Sequence, residues 1–190
     1  MRKLIFSIIT LLGLSATAEL SAQFLSADLQ VDDLRGNVAK VEYEYEGIST
    51  YEVCIRAFYY DNNGRLYLDS YIDPEITRTN NKITKIEICY GEESASYAYN
   101  GNHISKIKYD NGHAVFESNL FYNQNGNLIR KETTTWGVSG DTGRETVHKT
   151  IYQYTILERD SKGNWIKRSV KSTDKWGTET QIQTRKITYR

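Results

Sequence analysis

Four short segments with one shared pattern constrain the fold of this chain more than any other feature. Each begins with Asp or Asn, continues with two variable residues and Gly, and ends with Asn or Arg. They are residues 33–37, 61–65, 123–127 and 160–164. In a type I turn the first side chain accepts backbone hydrogen bonds, and Gly then adopts positive φ as a bulge into the next strand. The pattern predicts hairpins, and shorter turn candidates lie at Asn80-Asn81, Asn100-Gly101 and Asp110-Asn111-Gly112.

The segments between these turns alternate apolar and polar residues with a period of two. Val41, Tyr43 and Tyr45 share one predicted face, and glutamates share the other. Three further sets have the same spacing: Leu66 and Leu68; Ile86, Ile88 and Tyr90; and Phe116, Ser118, Leu120 and Tyr122. The chain has 15 tyrosines and one proline, and no stretch after Ala22 has a long helical period. Such alternation is typical of half-buried β-strands.

The last two copies of the turn begin a longer repeat. The segment from Gly126 to Tyr152 contains Trp136-Gly137, and 37 residues later the segment from Gly163 to Tyr189 contains Trp176-Gly177. A looser copy runs from Gly64 to Gly101. Repeats of this length bury their faces against their neighbours. We predict an all-β fold, an antiparallel β-meander of about 10–12 strands, either an extended twisted sheet or one curled toward a barrel.

The segments around three of the turns carry a family resemblance. Residues 59–66 (YYDNNGRL), 121–128 (FYNQNGNL) and 158–165 (ERDSKGNW) resemble the tyrosine-aspartate (YD) repeats of the bacterial RHS family. The chain is also similar to small secreted bacterial β-repeat proteins of unknown function that begin with Leu-x-Gly-x-Val, here Leu34 to Val38. The resemblance implies a β-meander built for shape or binding. Arg159 replaces the family's tyrosine in the third segment, and the chain is too short to enclose a cargo as RHS shells do.

The N-terminus predicts export. A basic tripeptide precedes an apolar run over residues 4–14 and small residues up to Ala22, which is the pattern of a secretory signal peptide. We expect residues 1–22 to be cleaved, with an alternative site after Ala18, and residues 23–190 to form a single β-repeat domain. The apolar run is too short to span a bilayer. No cysteine follows it to carry a lipid, so we expect a periplasmic, cell-surface or secreted protein that is not lipid-anchored.

Cys54 and Cys89 are the only cysteines. An exported protein meets an oxidising compartment, where the two could form a disulfide. Both lie within apolar, strand-like runs, where a buried reduced thiol would act as a small hydrophobe. Both alternatives remain open at this level.

No pattern in the sequence indicates catalysis or metal binding. A two-residue turn at Asn111-Gly112 would place His103 and His113 at opposite ends of one hairpin, and His148 lies in another strand. The carboxylates alternate with apolar residues, as on a solvated sheet face. We therefore predict no catalytic residue, no metal site and no cofactor. A hydrolase is the weaker alternative, because it needs two facing carboxyls or a histidine that only the fold could bring together.

Exposed aromatic rings are the best candidates for ligand contacts. Trp136 and Trp176 each precede a glycine at a predicted bend, and rings exposed on a sheet can bind sugars or flat partners. The leading hypothesis is an exported, non-catalytic binding or scaffold module with an unknown protein or glycan as its partner. The alternative is a glycan-binding or small-ligand-binding β protein.

Charge is distributed unevenly, although 24 basic residues balance 24 acidic ones. That balance argues against a nucleic-acid partner. Residues 23–100 carry 7 basic and 14 acidic side chains, whereas residues 145–190 carry 10 and 5. The C-terminal strand 183–190 is expected at a sheet edge, where its basic residues would attract the acidic strand 42–46 of another molecule. This predicts weak head-to-tail self-association.

Overall fold

The computed structural model describes residues 26–45, 49–69, 71, 74–138 and 145–190. The predicted signal peptide, residues 1–22, lies outside the described residues. The regular elements are one short helix and twelve strands: α1 Ala27–Val31, β1 Val38–Tyr43, β2 Ala57–Tyr60, β3 Leu66–Tyr67, β4 Glu75–Thr79, β5 Lys82–Ile88, β6 Glu93–Asn100, β7 His103–Asp110, β8 Ala114–Tyr122, β9 Leu128–Val138, β10 Glu145–Arg159, β11 Trp165–Asp174 and β12 Gly177–Tyr189.

All twelve strands form one antiparallel sheet that nearly closes into a barrel. Every two consecutive strands are paired except β3 and β4, which form the two edges of the sheet. In addition, the first strand pairs with the last, so that Val41 lies opposite Ile187. The predicted all-β meander is confirmed, and of the two predicted forms the curled one is present.

Three of the four turn segments have the predicted structure. In the turn at Asp160, the Gly163 N–H donates to the Asp160 carbonyl, and the Asp160 carboxylate accepts the N–H groups of Lys162 and Asn164. The turns at Asp61 and Asn123 repeat these bonds. The three glycines have φ between +72° and +83°, where a Cβ would be strained. These hairpin predictions are confirmed.

The first turn segment, residues 33–37, does not form a hairpin. It links α1 to β1, because Ser26 caps the N-terminus of the helix and the Leu34 N–H bonds back to the Leu29 carbonyl. The Asp33 carboxylate therefore pairs with Arg35 at 2.9 Å, and does not cap a turn. The prediction of a hairpin here is wrong because a helix replaces the first strand.

The seam between the two edge strands is closed by side chains. The Asp28 carboxylate on α1 accepts the Leu66 N–H of β3 and the Arg78 guanidinium of β4, both at 2.8 Å. Arg78 also donates to the Leu66 carbonyl at 2.9 Å, and Arg65 donates to Asn81 at 3.3 Å. Edge strands with unpaired backbone groups invite association. Here a partly buried ion pair between Asp28 and Arg78 occupies part of that edge.

The apolar core lies on the inner face of the first eight strands and beneath α1. It contains Leu29, Leu34, Val38, Val41, Tyr43, Tyr51, Phe58, Tyr60, Ile83, Ile86, Ile104 and Ile107. The predicted inward positions Tyr43, Leu66, Ile86 and Leu120 are all buried. Tyr45 lies beyond the end of β1 and is exposed.

The C-terminal strand is not a sheet edge. β12 lies between β1 and β11, where Lys186 is opposite Glu42 and Arg185 is opposite Tyr43. The acidic and basic ends of the chain therefore meet within one molecule. The prediction of an open C-terminal edge is wrong because the sheet curls far enough to pair its ends. Within the part of the chain that the structure describes, no helix is long and apolar enough to cross a membrane.

Neither cysteine lies in a strand, contrary to expectation. Cys54 is exposed in the connection between β1 and β2, where the Ile55 N–H bonds to the Val53 carbonyl in a tight turn. Cys89 is half-buried and begins a 3₁₀ turn, Cys89–Gly91, with φ of +53°. The two are not bonded to each other in the structure. Their pairing under oxidising conditions stays a prediction.

The hairpin of β7 and β8 has a different register from the one predicted. A two-residue turn at Asn111-Gly112 would place Asp110 opposite His113. Asp110 instead lies opposite Val115, because the Asn111 N–H bonds to the Ala114 carbonyl and the Asn111 side chain caps the turn. His103 therefore stacks on Tyr122, with 4.5 Å between the ring centroids.

Candidate functional site

The four C-terminal strands form a polar inner face. Exposure alternates strictly along β10 from Glu145 to Ile156, so Thr150, Tyr152 and Tyr154 face inward. The neighbouring strands continue this face. Lys131 on β9 is opposite Tyr152. Val170 on β11 is opposite Tyr154 on one side and opposite Gln181 of β12 on the other. Period-two strands place alternate residues on opposite faces. Hydroxyl, amide and charged groups therefore line this face, in contrast to the apolar core.

A cavity of about 330 Å³, the inner cavity, opens on this face. It is lined by Tyr45, Ser49, Thr50, Glu52, Leu120, Leu128, Lys131, Tyr152, Tyr154, Arg168, Gln181 and Gln183. This volume is at the lower end of the range for small-ligand sites. The site combines three tyrosine rings with two amides and three charged side chains.

Lys131 and Glu52 form an ion pair in the wall of the inner cavity. The Lys131 ammonium lies 2.8 Å from a Glu52 carboxylate oxygen, and the other oxygen accepts the Ser118 hydroxyl at 3.1 Å. Burial alone lowers the pKa of Lys131, but the Glu52 carboxylate outweighs it and the net pKa is raised. Lys131 also lies 4.5 Å from the centroid of the Tyr152 ring. The lysine is therefore charged at neutral pH and fixed against the ring.

Arg168 occupies the equivalent place on the neighbouring repeat. Its guanidinium carbon is 4.2 Å from the Trp165 ring centroid and 4.6 Å from that of Tyr154. Its Nε donates to the Gln183 side-chain oxygen at 2.7 Å. Burial lowers the pKa of this guanidinium, which still remains charged at neutral pH. Cation–π contacts of this kind hold both partners in place.

Arg185 follows the cavity residue Gln183 by two positions on β12 and is buried. It donates to the carbonyls of Trp165 at 2.7 Å and of Asp32 at 2.8 Å, and its guanidinium lies 3.9 Å from the Trp165 ring. The Asp32 carboxylate in turn accepts the Tyr43 hydroxyl at 2.7 Å. These bonds fix β12 and β11 to the segment after α1.

The two tryptophans predicted to bind ligand lie on opposite faces. Trp136 is opposite Val147. Val147 is an odd number of residues, five, from the inward Tyr152 on β10, so both Val147 and Trp136 lie on the outer face, where Trp136 is 40% exposed. Trp176 lies in the turn between β11 and β12, is 70% exposed, and contacts the inward His148 ring at 4.8 Å between centroids. The structure does not bring the two rings together.

A second, shallower cavity lies beside Trp176. We call it the outer groove because it lies toward the turn between β11 and β12; like the inner cavity, it lies on the inner face of the sheet. Its volume is about 290 Å³, and it is lined by Ser172, Asp174, Trp176, Gly177, Thr178 and Glu179. Glu179 is opposite Ser172, and Gln181 of the inner cavity follows Glu179 by two residues on the same strand. The two cavities therefore follow one another along the same face of β12.

The chemistry available in the inner cavity is recognition by rings and hydrogen bonds. Its lining includes one carboxylate, Glu52, which is already paired with Lys131. Among the described residues, no group of three or more His, Cys, Asp or Glu side chains is placed to hold a metal ion. No protein-family model matches the chain, and no curated protein matches it.

Sequence reasoning missed Lys131, Arg168 and the inward tyrosines of β10. A signal for the two cations was available, because they occupy equivalent positions in the 37-residue repeat. The residue three positions earlier is Leu128 in one copy, which lines the inner cavity, and Trp165 in the other, whose ring contacts Arg168. A cation at an inward strand position in both copies indicates a buried polar site, since buried charges need partners.

Proposed function

We propose that this protein is an exported, non-catalytic binding module whose inner cavity binds a small polar ligand, a saccharide. The lining of the cavity carries this proposal, with Tyr152 and Tyr154 beside the amides of Gln181 and Gln183. The apolar face of a sugar ring packs against an aromatic ring. Sugar hydroxyls donate and accept hydrogen bonds, as side-chain amides also do.

The rigidity of the lining supports binding. Lys131 lies against Tyr152, and Arg168 lies against Tyr154 while donating to Gln183. Side chains that are already ordered lose little conformational entropy when a ligand arrives. Small-ligand sites in proteins are usually formed in advance in this way.

The state of the carboxylate supports a non-catalytic role. Glycoside hydrolysis requires two carboxyl groups on either side of the scissile bond, one of them free to give or take a proton. In this cavity Glu52 is already paired with Lys131 and accepts the Ser118 hydroxyl, and it is the single carboxylate in the lining. A hydrolase therefore remains the weaker alternative.

Export and self-association belong to the same proposal. The predicted signal peptide supports a periplasmic, cell-surface or secreted location, where free saccharides and glycan chains are available.

Head-to-tail association by strand pairing would have to use β3 or β4, because β12 is paired on both sides. Sedimentation at low and high ionic strength tests it, and a monomer at every salt concentration would contradict it.

Saccharide binding is tested with two neighbouring residues of β12. Gln181 faces the inner cavity, and Thr180 precedes it on the outer face. The purified protein is screened on a glycan array, and each positive saccharide is then titrated by calorimetry. We expect Gln181→Ala to weaken binding about five- to tenfold, the value of one hydrogen bond. Thr180→Ala should leave affinity unchanged. No binding on the array, or equal losses for both variants, would contradict the proposal.

A further inference from the structure

The outer groove carries no role in the binding of a small ligand by the inner cavity. It nevertheless holds Trp176, which is 70% exposed although a ring of its size is usually buried. Its position is fixed, because the Asp174 carboxylate accepts the N–H groups of Trp176 and Gly177. The His148 ring contacts it on the inner face, and the Lys175 ammonium lies 4.5 Å from its centroid.

The inner cavity and the outer groove are collinear. Glu179, Gln181 and Gln183 project from the same face of β12 at successive alternate positions. From Gln183 to Gly177 the strand rises about 20 Å at roughly 3.3 Å per residue. A single sugar ring would occupy only one end of this length.

The surface between the two cavities is polar and suited to hydroxyl groups. Thr150 lies on the inner face of β10, and Ser172 is opposite Tyr152 across β10 and β11. Hydroxyl side chains donate and accept hydrogen bonds, as sugar hydroxyls do. An apolar peptide segment would leave these groups without partners, at a cost in free energy.

We infer that the natural ligand is a linear oligosaccharide, a conclusion that rests on the proposed saccharide binding. One end of the chain enters the inner cavity beside Tyr152 and Tyr154. The following sugar units lie along the inner face of β11 and β12, and a distal unit stacks on Trp176. Trp136 takes no part, because it lies on the opposite face of the sheet.

The experiment measures affinity against chain length. Array-positive saccharides are titrated by calorimetry as a series from the monosaccharide to the hexasaccharide, with the unmodified protein, Trp176→Ala and Trp136→Ala. Trp136→Ala is the matched control, since it removes the same ring from the outer face. We expect affinity to rise with chain length. Trp176→Ala should weaken hexasaccharide binding about tenfold and leave disaccharide binding unchanged, whereas Trp136→Ala should change neither.

The failures of the two proposals are distinguishable. If the disaccharide binds as tightly as the hexasaccharide and Trp176→Ala has no effect on either, the oligosaccharide inference is overturned, while saccharide binding by the inner cavity stands. If no saccharide of any length binds, both are overturned. Equal losses in Trp176→Ala and Trp136→Ala, together with a lowered melting temperature, would show that the tryptophans act on stability, and would also overturn the inference.

Discussion

The two halves of this sheet share one backbone plan and have opposite inner faces. In β7 the inward residues Ile104 and Ile107 are apolar and fully buried. In β10 the inward residues Thr150, Tyr152 and Tyr154 are polar and only partly buried. A register shift opposite Ser105 keeps Ile104 and Ile107 on the same face of β7, whereas β10 alternates without a break from Glu145 to Ile156. The apolar half stabilises the fold by burial, and the polar half has room for a ligand.

Different forces hold the two halves. Removal of apolar surface from water stabilises the core around Phe58 and Tyr43. Around Trp165, two arginines contact one ring and donate to an amide and to backbone carbonyls. Buried charges are tolerated only with such partners. Truncating a side chain should therefore lower the free energy of unfolding through lost apolar burial in one half, and through unpaired polar groups in the other.

The largest effect is expected in the apolar half. Phe58 is fully buried, with its ring 5.7 Å from that of Tyr43 and 6.0 Å from that of Tyr51. Phe58→Ala should lower the free energy of unfolding by about 3–5 kcal/mol, because it removes buried area and leaves a cavity. Phe121→Ala is the control, since Phe121 is 42% exposed, and should cost less than about 1 kcal/mol. Urea denaturation measures both, and similar losses would show that burial in the apolar core does not set Phe58 apart from an exposed ring.

The next largest effect is expected in the polar half. Arg185→Met keeps most of the side-chain volume but removes the donors to the carbonyls of Trp165, Asp32 and Asp33. Unsatisfied buried carbonyls should cost about 2–4 kcal/mol in total. Lys186→Met, at the next position of β12 and exposed, should be nearly neutral. If Arg185→Met were equally neutral, the hydrogen bonds would be irrelevant to stability, and the polar half would be held by packing alone.

Much of the fold could be predicted from the sequence, because its determinants are local. The turns at Asp61, Asn123 and Asp160 are encoded within five residues each, and alternation encodes the strand faces. The pairing of β1 with β12 could not be predicted, since it depends on the accumulated curl of ten intervening strands. Residues 33–37 satisfied the turn pattern, but a helix precedes them. Its Asp28 carboxylate accepts the Leu66 N–H and the Arg78 guanidinium, and these partners are too distant in sequence for a local pattern to indicate.

The site was less predictable than the fold. The exposed tryptophans were identified from the sequence, but their faces depend on register, which placed Trp136 and Trp176 on opposite sides. The inner cavity depends on the meeting of Glu52, from the connection between β1 and β2, with Lys131 on β9. These residues are far apart in sequence, and no local pattern connects them. The resemblance to YD repeats and the glycan hypothesis stay predictions.

A smaller effect is expected at the seam, where the apolar half depends on one polar group. Asp28→Asn keeps the shape of the side chain but removes the charge that accepts both the Leu66 N–H and Arg78. We expect a loss of about 1–2 kcal/mol, the value of a charge-assisted hydrogen bond. Amide hydrogen exchange at Leu66 should accelerate. Exchange at Ile107, away from the seam, is the control, and acceleration at both sites would show general destabilisation in place of local opening.

The smallest effect is expected at the turn between β10 and β11, and it depends on pH. Burial raises the pKa of Asp160, but hydrogen bonds from Tyr189, Asn164 and Lys162 outweigh it and hold the pKa below its usual value. The pKa of Tyr189 is raised to about 12, chiefly by burial and also by Asp160, so its hydroxyl remains a donor at neutral pH. A carboxyl with a lowered pKa in the folded state stabilises the fold above its unfolded pKa of about 3.9. That stability is lost as pH falls through the folded value.

The equivalent turn between β8 and β9 supplies the natural comparison for this prediction. Asn123 makes the same turn bonds as Asp160 and carries no charge. Asp160→Asn should therefore keep the turn and lose only the charge, at a cost of about 1 kcal/mol or less at pH 7. The difference from the unmodified protein should begin to decrease as pH falls below about 4 and should be lost only below the lowered pKa of the folded state, where the native carboxyl is protonated. Thermal unfolding from pH 7 to pH 3 measures this, with Asn123→Asp as the reciprocal variant. A difference that stayed constant across this range would mean that the Asp160 charge adds nothing, and that turn geometry alone stabilises this end of the polar half.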